Sequence, residues 1–100
     1  MKLTLREVID AVRDEKLSKD QLEKYRDQLS YLAADMQFRM ADLKKAEAKY
    51  FIDKQEDTDV ATKRKWRVTE AGQELLELSH HYKAAEKILS SLKSRLYDRY

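Results

Sequence analysis

Apolar residues recur at helical spacing along this chain, and each run opens on its own start signal. Leu5, Val8, Ile9 and Val12 fall at i, i+3, i+4 and i+7, the stripe of an amphipathic helix. Thr4 with Glu7 three residues on forms a capping box, and Leu3 with Val8 a hydrophobic staple, which predicts a short first helix over residues 5–15. The signature repeats at once. Ser18 is the cap, Gln21 its partner and Leu17 with Leu22 the staple, so a second helix starts at Lys19, and nothing interrupts it before Asp53. The stretch Gln55-Glu56-Asp57-Thr58-Asp59 is polar, non-periodic and rich in cap formers, which predicts a turn over 54–59 with Thr58 or Asp59 capping a third helix. That third helix is expected over 60–99. Gly72 is the one weak point in it, and an interior helix position tolerates glycine at a cost of about 1 kcal/mol. Forty residues at ~1.5 Å rise make a rod of roughly 60 Å.

Two heptad seams run along the long helices. With Leu22 as position a, the second helix reads Leu22, Leu29, Met36, Leu43, Tyr50 at a and Tyr25, Leu32, Arg39, Ala46, Asp53 at d. With Ala61 as a, the third reads Ala61, Val68, Leu75, Tyr82, Leu89, Leu96 and, at d, Arg64, Ala71, Leu78, Ala85, Leu92, Arg99. Folded antiparallel, Met36 meets Leu78, Leu29 meets Ala85, Leu43 meets Ala71, Leu32 meets Tyr82 and Tyr25 meets Leu89, in one register whose midpoint is Asp57. That midpoint lies in the independently predicted turn. Large residues face small ones at Leu29–Ala85, Leu43–Ala71 and Ala46–Val68, so the layers can interdigitate. The expected fold is all-α: one domain over residues 1–100, a long coiled-coil-like antiparallel hairpin with a short N-terminal helix.

A second stripe, Tyr31, Ala34, Phe38, Ala41, Ala48 and Ile52, lies opposite the seam of the second helix, and Val60, Trp66, Leu76, Ile88, Tyr97 and Tyr100 lie off the seam of the third. A solitary hairpin would expose more contiguous apolar surface than a small monomer usually shows. The short first helix is expected to cover part of it. Homo-oligomer or partner contact through Tyr31, Phe38, Ile52, Ile88 and Tyr97 is expected to cover the rest.

Composition narrows the function classes. Lys and Arg number 21 and Asp and Glu 19, a net charge of +2, with no Cys, no Pro and one Gly. Without Cys there is no disulfide framework, thiolate metal site or cysteine nucleophile. With so little turn chemistry a sheet protein is excluded. No apolar run approaches the ~20 residues of a membrane span. Met1-Lys2 leads into a charged amphipathic segment rather than an apolar leader, so a cytoplasmic protein is expected. No catalytic constellation stands out: there is no Gly-rich phosphate loop and no nucleophile elbow, and the carboxylates are scattered among Lys and Arg at i±3 and i±4, as on a solvated helix face. His80-His81 are adjacent, and so point about 100° apart on a helix and do not converge on a metal. Neither an enzyme nor a cofactor or metal site is expected. Arg39, at a seam position, is expected to snorkel, or to pair with Glu74 or Glu70.

The most pointed segment is Lys63-Arg64-Lys65-Trp66-Arg67, four cations around one indole. Across the hairpin lie Lys49, Tyr50, Phe51 and Lys54 and, further along, Lys44 and Lys45. Cations neutralise phosphates and aromatic rings stack on unpaired bases, so this segment is a candidate single-stranded nucleic-acid site, with a cation–π contact between Arg64 and Tyr50. The alternatives are a solvated flank, and Trp66 buried in an oligomer contact.

The run Lys44-Lys45-Ala46-Glu47-Ala48-Lys49-Tyr50-Phe51, then a polar turn and a long helix ending Ile88-Leu89-Ser90-Ser91-Leu92-Lys93-Ser94-Arg95-Leu96, resembles the UvsY-like phage recombination mediator proteins over roughly residues 22–98. The resemblance implies a small helical, oligomeric protein that binds single-stranded DNA, contacts the single-strand-binding protein and loads a recombinase, in the cytoplasm of a phage host. It places Lys44, Lys45 and Lys49 in the basic pre-turn run and Lys93 and Arg95 in the basic end. The competing expectation is a small helical adaptor or inhibitor that receives a host protein on the Tyr31–Phe38–Ile52 stripe.

Overall fold

The computed structural model describes residues 4–54 and 58–99, with the side chain of residue 99 excepted. Four helices occur in order: α1 Leu5–Val12, α2 Lys19–Asp53, α3 Asp59–Arg67 and α4 Glu70–Arg99. The packing of α2 on α4 makes an antiparallel hairpin, and the molecule measures 58 × 24 × 19 Å. The all-α hairpin read from the heptads is the fold.

The start signals operate as expected. The Thr4 hydroxyl accepts from the Glu7 N–H while the Glu7 carboxylate accepts from the Thr4 N–H, and Ser18 with Gln21 does the same at α2. These reciprocal bonds satisfy amide donors that the first helical turn leaves without partners. Leu17 and Leu22, the predicted staple, are both buried in one cluster. Leu3, of the other staple, lies outside the described residues. The first helix ends at Val12, short of the expected residue 15, because the Asp14 carboxylate captures the Lys16 N–H at 2.9 Å and turns the chain.

The expected single helix over 60–99 is two helices, and this is the main correction to the heptad reading. Thr58 caps α3, its hydroxyl accepting from the Ala61 N–H at 3.2 Å. The chain breaks at Val68-Thr69. The Thr69 hydroxyl donates to the Trp66 carbonyl at 2.6 Å and accepts from the Gly72 N–H at 3.0 Å, and the Gln73 N–H bonds the Thr69 carbonyl at 2.9 Å. Thr69 is therefore the cap of a new helix. Gly72 is required by it: a Cβ there would lie 1.9 Å from the Trp66 carbonyl oxygen. The break re-aims α3. Thr62 and Trp66 face inward, whereas Val68, expected opposite Ala46 in the seam, is 79% exposed.

Two apolar clusters result. At the open end, Leu17, Leu22, Leu29, Ala33, Ala85 and Leu92 enclose Val8 and Val12 of α1, with Tyr25, Leu32, Tyr82, Ile88 and Leu89 packed against them. At the turn end, Leu43, Trp66 and Leu75 are joined by Met40, Tyr50, Ala71 and Leu78. The predicted pairs Leu29–Ala85, Leu32–Tyr82, Tyr25–Leu89 and Leu43–Ala71 each share a cluster. Beside the turn-end cluster Arg39 reaches Glu74 in a two-point contact, Nε to Oε2 at 2.5 Å and Nη2 to Oε1 at 2.8 Å, the first of the two expected partners. That geometry holds the Glu74 carboxyl below its ordinary range and raises the Arg39 guanidinium further above neutral.

Candidate nucleic-acid and partner interfaces

Helix α2 carries Lys44, Lys45, Lys49 and Lys54 to the turn end, and α3 returns with Lys63, Arg64, Lys65 and Arg67; all eight are exposed. Described acidic residues in the same stretch are Glu47, Asp53 and Asp59, so the exposed end is positively biased. The basic residues of both helices are therefore exposed at the turn end, where Lys63 of α3 shares a groove with Glu47 and Phe51 of α2.

The aromatic half of the expected site is organised differently. Trp66 is only 5% exposed, and its partners belong to this chain rather than to an oligomer: it packs with Leu43 and Leu75. Tyr50 is half-buried and tilts against Trp66 with ring centroids 5.6 Å apart and planes at 55°. Neither ring stands free as a stacking platform. The cation over Tyr50 is Lys54, at 5.9 Å from the ring centroid, and not Arg64, which the rotation of α3 turns outward. The indole, off the seam in an unbroken heptad, enters the core because α3 ends at Arg67 and α4 starts afresh.

At the other end of the rod, Lys93 is exposed and lines a shallow groove with Leu96 and Tyr97 of α4 and Lys19, Glu23 and Arg26 of α2. Tyr97 is 90% exposed. The heptad and motif reading does not single out Lys19 and Arg26, although the antiparallel register sets the start of α2 beside the end of α4. Arg95 is committed structurally. Its Nη1 donates to the Val12 carbonyl at 2.6 Å and so closes the C-terminus of α1.

The partner stripe divides as well. Tyr31, Phe38 and Ile52 are 73%, 74% and 64% exposed, with Ala34, Ala41 and Ala48 exposed between them. Helix α1 sits in the open-end cluster and leaves the α2 stripe uncovered, while Ile88, another of the off-seam apolar positions, is half-buried against the cluster that contains α1. His80 and His81 are both exposed, and among the described residues no group of His, Cys, Asp and Glu is placed to hold a metal. No helix among them is long and apolar enough to cross a membrane. Compared with protein-family models, with curated proteins and with solved structures, the chain has no match.

Proposed function

We propose that this chain is a non-enzymatic accessory protein that binds single-stranded DNA at the turn end of its hairpin, through phosphate contacts rather than base stacking. The observation that carries the reading is the exposure, on two helices at one end of the rod, of Lys44, Lys45, Lys49, Lys63, Arg64 and Arg67. Cations so arranged release counterions from a phosphate chain, and that gain does not depend on sequence. The buried Trp66 shifts the reading from stacking toward electrostatics. The resemblance to UvsY-like mediators supports the rest of the proposal: a phage-encoded protein in the host cytoplasm that contacts the single-strand-binding protein and loads a recombinase.

Fluorescence anisotropy with a labelled single-stranded oligonucleotide, titrated at several salt concentrations, tests this. Binding is expected to weaken steeply with salt. Lys63→Ala, Arg64→Ala and Arg67→Ala together are expected to reduce the slope of log K against log salt by about 2, at ~0.7 per lost single-strand contact. Undetectable or salt-independent binding refutes the reading.

The exposure of Tyr31, Phe38 and Ile52 favours a second reading, a protein-binding module whose docking face is the outer stripe of α2. A host-protein target for an adaptor or inhibitor belongs to this reading. Recovery of one defined partner after nuclease treatment, lost on Phe38→Glu, would support it over DNA binding.

A further inference from the structure

The outer face of α2 has an order of its own. Tyr31, Ala34, Phe38, Ala41, Lys45, Ala48 and Ile52 alternate in steps of three and four, the spacing of a coiled-coil seam, and every one is exposed. Large and long side chains occupy one set of positions and alanine each position of the other. The stripe runs ~32 Å along the helix. Alanine at every second level lets a facing helix approach to the short end of the usual 8–10 Å range, roughly 8 Å.

The flanking charges indicate what fits there. Asp35 and Asp42 flank the first half of the stripe, and Lys49 flanks the second half, where Lys45 lies in the stripe itself. All four are exposed, and none makes an ion pair among the described residues. A copy of the same helix laid parallel would set Asp beside Asp and Lys beside Lys. Laid antiparallel, it sets acidic half against basic half. The stripe is therefore self-complementary on reversal, which is the requirement of a two-fold, isologous contact.

We infer that the outer face of α2 is a homodimer interface in which a second copy packs antiparallel through the Tyr31–Ile52 stripe. In the register that best uses the charges, Phe38 packs on Ala48 of the second copy and Ile52 on its Ala34. Asp35 then pairs with Lys49 of the second copy and Asp42 with its Lys45, each twice by symmetry. Lys45 and Lys49 belong to both proposed surfaces, whereas Lys63, Arg64 and Arg67 lie on α3 outside the stripe. The dimer is therefore tested without DNA, so that its failure and the failure of DNA binding are read separately.

Light scattering behind size exclusion, with sedimentation equilibrium of the full chain without DNA, tests the inference. A reversible dimer is expected, with a dissociation constant on the order of micromolar for a contact of this modest size. Phe38→Glu and, separately, Ala48→Arg are expected to weaken it tenfold or more while circular dichroism stays fully helical; both positions are exposed, so the hairpin itself does not depend on them. Asp35→Lys is expected to weaken the dimer, and Asp35→Lys with Lys49→Asp in the same chain to restore it. A parallel pair would not be rescued. A chain that stays monomeric at ~100 µM, about a hundredfold above that constant, overturns the inference. So does a dimer indifferent to Phe38→Glu, a double swap that fails to rescue, or mass gained only with a different protein.

Discussion

A Cβ built on Gly72 would lie 1.9 Å from the Trp66 carbonyl oxygen, 2.8 Å from its carbon and 3.1 Å from the Thr69 hydroxyl. Two of those atoms are backbone, so no side-chain adjustment relieves the clash. The sign of one substitution is therefore diagnostic. In an unbroken helix Gly72→Ala would stabilise by about 1 kcal/mol. Here it is expected to destabilise by ~2 kcal/mol or more, read from urea unfolding monitored by circular dichroism. The Arg39–Glu74 pair makes a second residue-level prediction. Its hydrogen bonds and charge lower the folded carboxyl below its unfolded value, so the stabilisation is present above the ordinary carboxylate range and is lost as pH falls through the lowered folded value. The melting-temperature advantage of the native chain over Glu74→Gln is expected at about pH 7 and to fade below about pH 4. High salt is expected to shrink it, since both side chains are substantially exposed.

At the scale of the element, reciprocal side-chain to backbone bonds made the helix starts legible. Thr4-x-x-Glu7 and Ser18-x-x-Gln21 are local patterns, and local geometry suffices to realise them. The α2–α4 register was legible because, of the registers a heptad repeat allows, one centres on the polar turn signalled by Gln55 to Asp59. The α3–α4 break was not. Its signal, Thr69 three residues before Gly72, resembles an ordinary interior threonine and glycine, and only the approach of the Trp66 carbonyl distinguishes it. Missing the break misplaced Val68 in the core and left Trp66 either a stacking ring or buried by an oligomer, neither of which is its place, while the cations are exposed as expected. Lysine and arginine stay at the surface under either geometry; an indole two residues from a break does not have that robustness. Arg95 shows the same limit, since its acceptor, the Val12 carbonyl, lies 83 residues away in sequence. Arg95→Met keeps much of the apolar stem and removes the donor. It is expected to speed amide hydrogen exchange in α1 severalfold with little change in α2, because the C-terminal carbonyls of α1 lose a partner.

For the whole molecule, the consequence of the geometry is that stability sits in two places. The open-end cluster joins α1, α2 and α4, whereas the turn-end cluster rests on three buried side chains, Leu43, Trp66 and Leu75. Arg39 and Glu74, both surface-accessible, tie α2 to α4 beside the turn-end cluster, and the two clusters lie one helical turn apart at Leu78 and Tyr82. A slender rod of 58 × 24 × 19 Å built this way can open at one end while the other holds. Trp66→Ala removes the largest side chain of the smaller cluster, and a buried tryptophan lost to a cavity costs ~3–5 kcal/mol. That loss is expected to appear as a local event. Hydrogen-exchange protection should collapse through α3 and the last turns of α2, and persist around Leu22 and Leu92. If protection instead fell equally along the whole rod, the two clusters would be one cooperative unit. The cation surface rides on the weaker end, since α3 carries Lys63, Arg64 and Arg67 on the outside and Trp66 on the inside of the same two turns. Trp66→Ala should therefore weaken oligonucleotide binding without any ring touching a base, by loosening the spacing of the two basic helices. Trp66→Phe, which refills most of the cavity, should restore the protection and the binding together.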